Sequence, residues 1–163
     1  MSQYLFLSGS ERDLRHSRRL WVVRWGAAGL LVLLVGVAAV CFLWPDGGQI
    51  RQILISIWLA VTPTPWLRSH IKPEYVEQGM NAAVFIPIVA CAVLVLPRVR
   101  LWVWWVLAAC GATSIELIQL AFLSGRNFNP VDALFNSLGG IVGSLLGAFI
   151  LYRLFRRWER IDG

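Results

Sequence analysis

The chain has 163 residues, of which 58% are hydrophobic and only 15% charged, with a mean hydropathy of +0.65. A soluble domain runs at roughly half apolar and a quarter charged, so this composition points to a membrane protein. The net charge of +6 is carried by basic residues at the ends of apolar runs. No basic face interleaved with aromatics is present, so nucleic acid is excluded as a partner.

In chain order, residues 1–24 form a basic segment holding Arg12, Arg15, Arg18, Arg19 and Arg24. Trp25 to Trp44 is charge-free and long enough to be a first transmembrane helix, about 25–44. It exceeds a signal-peptide core of about 7–15 residues, and Ala38-Ala39-Val40-Cys41 is a poor lipoprotein box, so it reads as an uncleaved anchor. Ile53 to Val61 is apolar but short, and Pro63 and Pro65 follow it. An outer interfacial or re-entrant helix is expected over about 50–61. Three further spans are expected at about 79–96, 101–124 and 132–152, followed by a basic tail, 153–163. The fold class is an all-α membrane protein with four transmembrane helices, one transmembrane domain over 25–152, and the short outer helix.

Arginine placement sets the expected orientation. The segment before span one, the Pro97-Arg98-Val99-Arg100 link, and the tail with Arg153, Arg156, Arg157 and Arg160 fall on one side. The other side carries Arg51, Arg68, Lys72 and Arg126. The positive-inside rule places both termini in the cytoplasm. Nine tryptophans support the spans. Trp21, Trp25 and Trp44 bracket the first, Trp102, Trp104 and Trp105 crowd the inner end of the third, and Trp158 lies just past the fourth. Cys41, Cys91 and Cys110 lie inside apolar runs with no CxxC spacing and read as small buried hydrophobes. His16 and His70 are remote from them, so neither a metal centre nor a cofactor is expected.

The informative residues lie towards the outer ends of the spans. Glu116 and Gln119 are i and i+3, so they share a face of span three that Ala108 and Ala112 continue inward. In span four, Asp132, Asn136, Gly139, Gly140, Gly143 and Gly147 form one stripe, polar at the mouth and bare backbone below. Gly139-x-x-x-Gly143-x-x-x-Gly147 is a doubled small-residue packing motif, and the alanine face of span three is its natural partner. The short connection from Ser124 to Pro130 makes these two helices adjacent and antiparallel. Asn81 begins span two on the same side, and Arg126, the strong cation of the connecting loop, can reach Asp132 or Glu116. A lone charge at mid-bilayer costs at least about 2.5 kcal/mol, so these groups are expected to converge in one polar outer-leaflet pocket. That pocket is either a hydrogen-bonded brace for the bundle or a ligand-facing site.

Asn81-x-x-x-Phe85-Ile86-Pro87, Ser114-Ile115-Glu116-x-x-Gln119 and Asp132-x-x-x-Asn136-x-x-Gly139-Gly140-x-x-Gly143 together resemble the VanZ-like family of small bacterial membrane proteins. The resemblance runs from about Asn81 to Gly147. It departs where Ile88-Val89 follows Pro87 in place of the Phe-Gly common in relatives, and where Asn129 stands in place of an acid. The family's founding member is associated with resistance to teicoplanin. The resemblance therefore implies a bacterial cell-envelope protein of the cytoplasmic membrane, in contact with membrane lipids. Its polar pocket would bind a lipid headgroup, a lipid-linked wall precursor or a lipoglycopeptide. Two alternatives stay open. One is a membrane-embedded enzyme using Glu116 or Asp132 as acid or base, for which no Ser–His pair or metal ligands are present. The other is an oligomeric transporter, for which no internal repeat is evident.

Overall fold

The computed structural model describes residues 3–123 and 128–162, with side-chain environments from residue 17 to residue 161. Among the described residues there are six α-helices and no strand. They are α1 (Gln3–Phe42), α2 (Gly47–Val61), α3 (Pro65–His70), α4 (Pro73–Val95), α5 (Leu101–Phe122) and α6 (Pro130–Asp162). Four are long and apolar enough to cross a membrane: Ser17–Phe42 within α1, α4, α5, and Pro130–Ile161 within α6. The all-α architecture of a multi-pass membrane protein expected from the composition is what the chain adopts.

The helices extend beyond the charge-free runs because a charge does not break a helix. Arginine is a good helix former, so α1 continues through the basic segment and α6 through the basic tail. α4 starts at Pro73, ahead of Gly79, with proline in its first turn, where no amide partner is needed, and Glu74 beside the positive end of the helix dipole. It stops at Val95, just before Pro97.

α2 has 15 residues and spans about 22 Å, short of a hydrocarbon core of about 30 Å. Asp46 caps its start, accepting from the amides of Gly48 at 2.9 Å and Gln49 at 3.2 Å. At its end the chain folds back. Trp58 Nε1 donates to the Ile71 carbonyl at 2.7 Å and Arg68 Nε to the Thr62 carbonyl at 2.9 Å, which locks α2 and α3 into one unit. α2 rests against α4. Ile53, Leu59, Val61 and Trp66 stay exposed on this unit, a surface suited to the headgroup zone.

α6 lies between α4 and α5, and α1 packs on the other side of α4. Here the structure differs from the sequence expectation. A Cβ on Gly139 would strike the backbone carbonyl of Ala82, one on Gly143 the carbonyl of Ile86, and one on Gly147 the carbonyl of Ala90 at 2.8 Å. The glycine row therefore lies on α4, not on the alanine face of α5. The pairs advance together along both chains, so α4 and α6 run parallel. Only Gly140 turns to α5, where it meets the Ala108 side chain. Trp105 Nε1 donates to Ser144 Oγ at 3.0 Å along that antiparallel contact. On α4 the bare glycine Cα–H groups lie directly against successive backbone carbonyls, whereas on α5 the Ala108 methyl stands between the two backbones.

Side-chain placement follows the same logic. Trp104 does not sit in a headgroup belt; it packs in the core with Val89, Val93, Ala108 and Leu151. Cys91 is buried, but Cys41 and Cys110 are exposed. In a bundle of four helices most of each helix surface faces outward, so an apolar run marks a lipid environment and not burial within protein.

Gly143→Ala forces α4 and α6 apart and is expected to lower stability by about 1–3 kcal/mol, read from thermal unfolding in detergent. Gly29→Ala, at a glycine with open space around it, should leave stability unchanged or slightly raised.

Candidate functional site

The start of α6 lies at the end of the bundle that carries α2. Asn129 is its N-cap. Its Oδ1 accepts from the Val131 amide at 3.1 Å, and Pro130 fills the first helical position. In an ordinary capping box, the acid three residues on accepts from the N-cap backbone amide. That acid here is Asp132, but its Oδ2 accepts from the Asn129 side-chain Nδ2 at 2.8 Å. The Asn129 backbone amide is taken instead by Glu116 Oε2 of α5, at 2.9 Å. The cap is thus divided between two helices, and Glu116 is only 3% exposed. An acid at position 129 could cap α6 but, when ionised, could not donate to Asp132. Asparagine does both.

Gln119 lies one turn further along the same face of α5. Its Nε2 donates to the Phe42 carbonyl at the end of α1, at 2.7 Å, satisfying one of the carbonyls that a helix end leaves without an internal partner. The predicted pair on α5 therefore bonds to two different neighbours.

Asn81, Glu116, Gln119 and Asp132 border one cavity of about 190 Å³. Ile50, Ile53 and Leu54 of α2 form an apolar wall opposite them. Two components of this site were missed from the sequence. Glu77 stands one turn before Asn81 on α4 and also lines the cavity. Its i, i+4 relation to Asn81 was the available signal, but it precedes Gly79, where the span was expected to begin. The α2 wall left no such signal, because amphipathicity does not say which part of the bundle a helix lies against. Around the mouth, a wider basin of about 860 Å³ between the starts of α2 and α4 includes Asp46, Arg51 and Glu74, and shares Ile50, Leu54 and Glu77 with the inner cavity.

Other expected members lie elsewhere. Asn136 is not part of the cavity wall. It is 1% exposed, and both its Oδ1 and Nδ2 lack a hydrogen-bond partner among the described residues. Carrying the Gly140–Ala108 register one turn further sets it level with Ala112, itself fully buried. Gly139, Gly140, Gly143 and Gly147 lie deeper, in the helix contacts described above. Arg126 falls outside the described residues. Among the described residues, no three His, Cys, Asp or Glu side chains are grouped as a metal ion would need.

The arrangement presents carboxamide and carboxylate groups on one side and aliphatic side chains on the other, at one end of a membrane bundle. A family profile described as VanZ/LLP1 matches residues 27–156, from the apolar part of α1 to the last turns of α6. No curated protein and no solved structure shows significant similarity to the chain.

Glu116→Ala removes the acceptor of a half-buried amide and is expected to cost about 1–3 kcal/mol, with faster hydrogen exchange at Asn129. Glu116→Gln keeps an acceptor and should lose less on both measures.

Proposed function

The chain belongs to the VanZ/LLP1 family, and from that membership and the cavity beneath α2 we propose that it is a non-enzymatic protein of the bacterial cell envelope that binds the head of a membrane amphiphile. The candidate amphiphiles are a lipid, a lipid-linked wall precursor and an acylated glycopeptide antibiotic of the teicoplanin type. The observation that carries this reading is the cavity, which sets Asn81, Glu116, Gln119 and Asp132 against the aliphatic wall of α2. Arg98, Arg100, Arg153, Arg156 and Arg157 cluster at the opposite end of the bundle, so the positive-inside rule turns the cavity to the outer leaflet. Acyl tails of envelope-directed antibiotics insert there. Glu116 and Asp132 each accept a bond that holds the start of α6, which supports a binding role over acid–base chemistry.

The test is drug susceptibility in a Gram-positive host expressing the chain or its Asn81→Leu variant. The wild-type chain should raise the inhibitory concentration of teicoplanin but not that of vancomycin, which has no acyl tail. Asn81→Leu should lower the teicoplanin value by about fivefold, the size of a loss of about 1 kcal/mol of binding free energy. Equal values for wild type and variant, at equal expression, would overturn the proposal.

A further inference from the structure

A second cleft lies at the other end of the bundle from α2, where α1 passes the end of α4. It has a volume of about 340 Å³ and is lined by Trp21, Arg24, Trp25, Ala28 and Val95, with no acidic side chain in its wall. Arg24 is the one charged group there. Its Nε donates to the Val95 carbonyl at 2.9 Å, so one edge of the guanidinium is fixed against α4. Its two terminal nitrogens donate to no described residue. That pair of donors has the spacing to take two oxygens of one phosphate.

The rest of the wall suits a lipid. Trp21 and Trp25 lie one turn apart with ring centroids 6.1 Å apart, and both are largely exposed. Tryptophan prefers the boundary between headgroups and tails, which is where α4 ends and the chain turns at Pro97. Ala28, one turn deeper in the apolar run, leaves space below Arg24 for the start of an acyl chain. Arg98 and Arg100 follow α4 within a few residues and add to the positive field. A basic pocket between spans on the arginine-rich side is a place where acidic lipid heads bind. A choline head would set a second cation among these arginines.

We propose that this cleft binds an anionic phospholipid of the leaflet at the arginine-rich end. The terminal nitrogens of Arg24 hold its phosphate, and its glycerol and first methylenes lie against Trp21, Trp25 and Ala28. The site is separate from the cavity beneath α2 and does not depend on it.

The test is native mass spectrometry of the full chain in detergent micelles, where no charged surface attracts lipid. Phosphatidylglycerol and phosphatidylcholine with the same acyl chains are titrated in turn. Phosphatidylglycerol is expected to bind at least about tenfold more tightly. Arg24→Gln should abolish that preference. Trp25→Leu, which leaves the Arg24–Val95 bond in place, should weaken phosphatidylglycerol binding at least about threefold. Arg160→Gln removes the same charge from the exposed last turn of α6 and should leave binding unchanged.

Equal affinity for the two lipids would overturn the proposal, and so would a preference that survives Arg24→Gln. Should Arg24→Gln fail to fold, unchanged binding by Trp25→Leu overturns it alone. An equal loss in Arg160→Gln would mean a diffuse effect of charge and would also overturn it. Displacement of the lipid by an equal concentration of inorganic phosphate would mark a site for the free anion, and the lipid proposal would fall.

Discussion

The close approach of the α6 glycines to the α4 carbonyls governs the rest of the molecule. Lipid tails are as apolar as leucine, so helices inside a bilayer gain little from hiding apolar side chains from one another. What they gain comes from close packing, and only glycine lets one backbone lie directly on another. Gly139, Gly143 and Gly147 meet Ala82, Ile86 and Ala90 in a single parallel register. That register sets the position of what lies above it: Asp132 on α6 falls near the start of α4, within a turn of Glu77. Two parallel helices need a crossing segment between them, and α5 supplies it, docked through Gly140 against Ala108.

A second constraint acts at the helix ends. Backbone groups without partners are costly in a membrane, and a helix leaves several at each terminus. In this molecule side chains from neighbouring helices supply partners. Arg24 of α1 donates to the Val95 carbonyl at the end of α4, at 2.9 Å. Gln119 of α5 donates to the end of α1, and Glu116 of α5 accepts from the cap of α6. Each bond satisfies a terminus and also ties two helices together. Much of the polar cluster that stands out in the sequence is therefore occupied in joining helices. Asn81 differs, since it borders the cavity without such a bond, and for that reason it carries the functional proposal.

The cavity also depends on α2. This helix is too short to span, and its own caps and the Trp58–Ile71 and Arg68–Thr62 bonds hold it as a unit with α3. Its residues Ile50, Ile53 and Leu54 close the side that the long helices leave open. A site with one rigid polar wall and one wall on a separately braced short helix differs physically from a pocket buried wholly among the spans. Its polar side is held by the bundle packing, while its apolar side is continuous with a surface suited to the headgroup zone.

Composition and the four apolar runs were enough to establish an all-α membrane protein, because bilayer thickness and backbone hydrogen bonding leave few other solutions for such a chain, while the family was legible only as a resemblance in the motifs between Asn81 and Gly147. The gathering of Asn81, Glu116, Gln119 and Asp132 was also foreseeable, since each lies near the same end of its helix. The sequence alone did not decide which helix the glycine row would meet, because α4 and α5 both offer small residues and helical period says nothing about rotation between neighbours. Nor could it show that Asn136 stands apart from the cavity while Glu77 and the α2 wall border it. Those choices rest on contacts between segments far apart in the chain, where a rotation of one helix by a fraction of a turn moves a side chain from cavity to core.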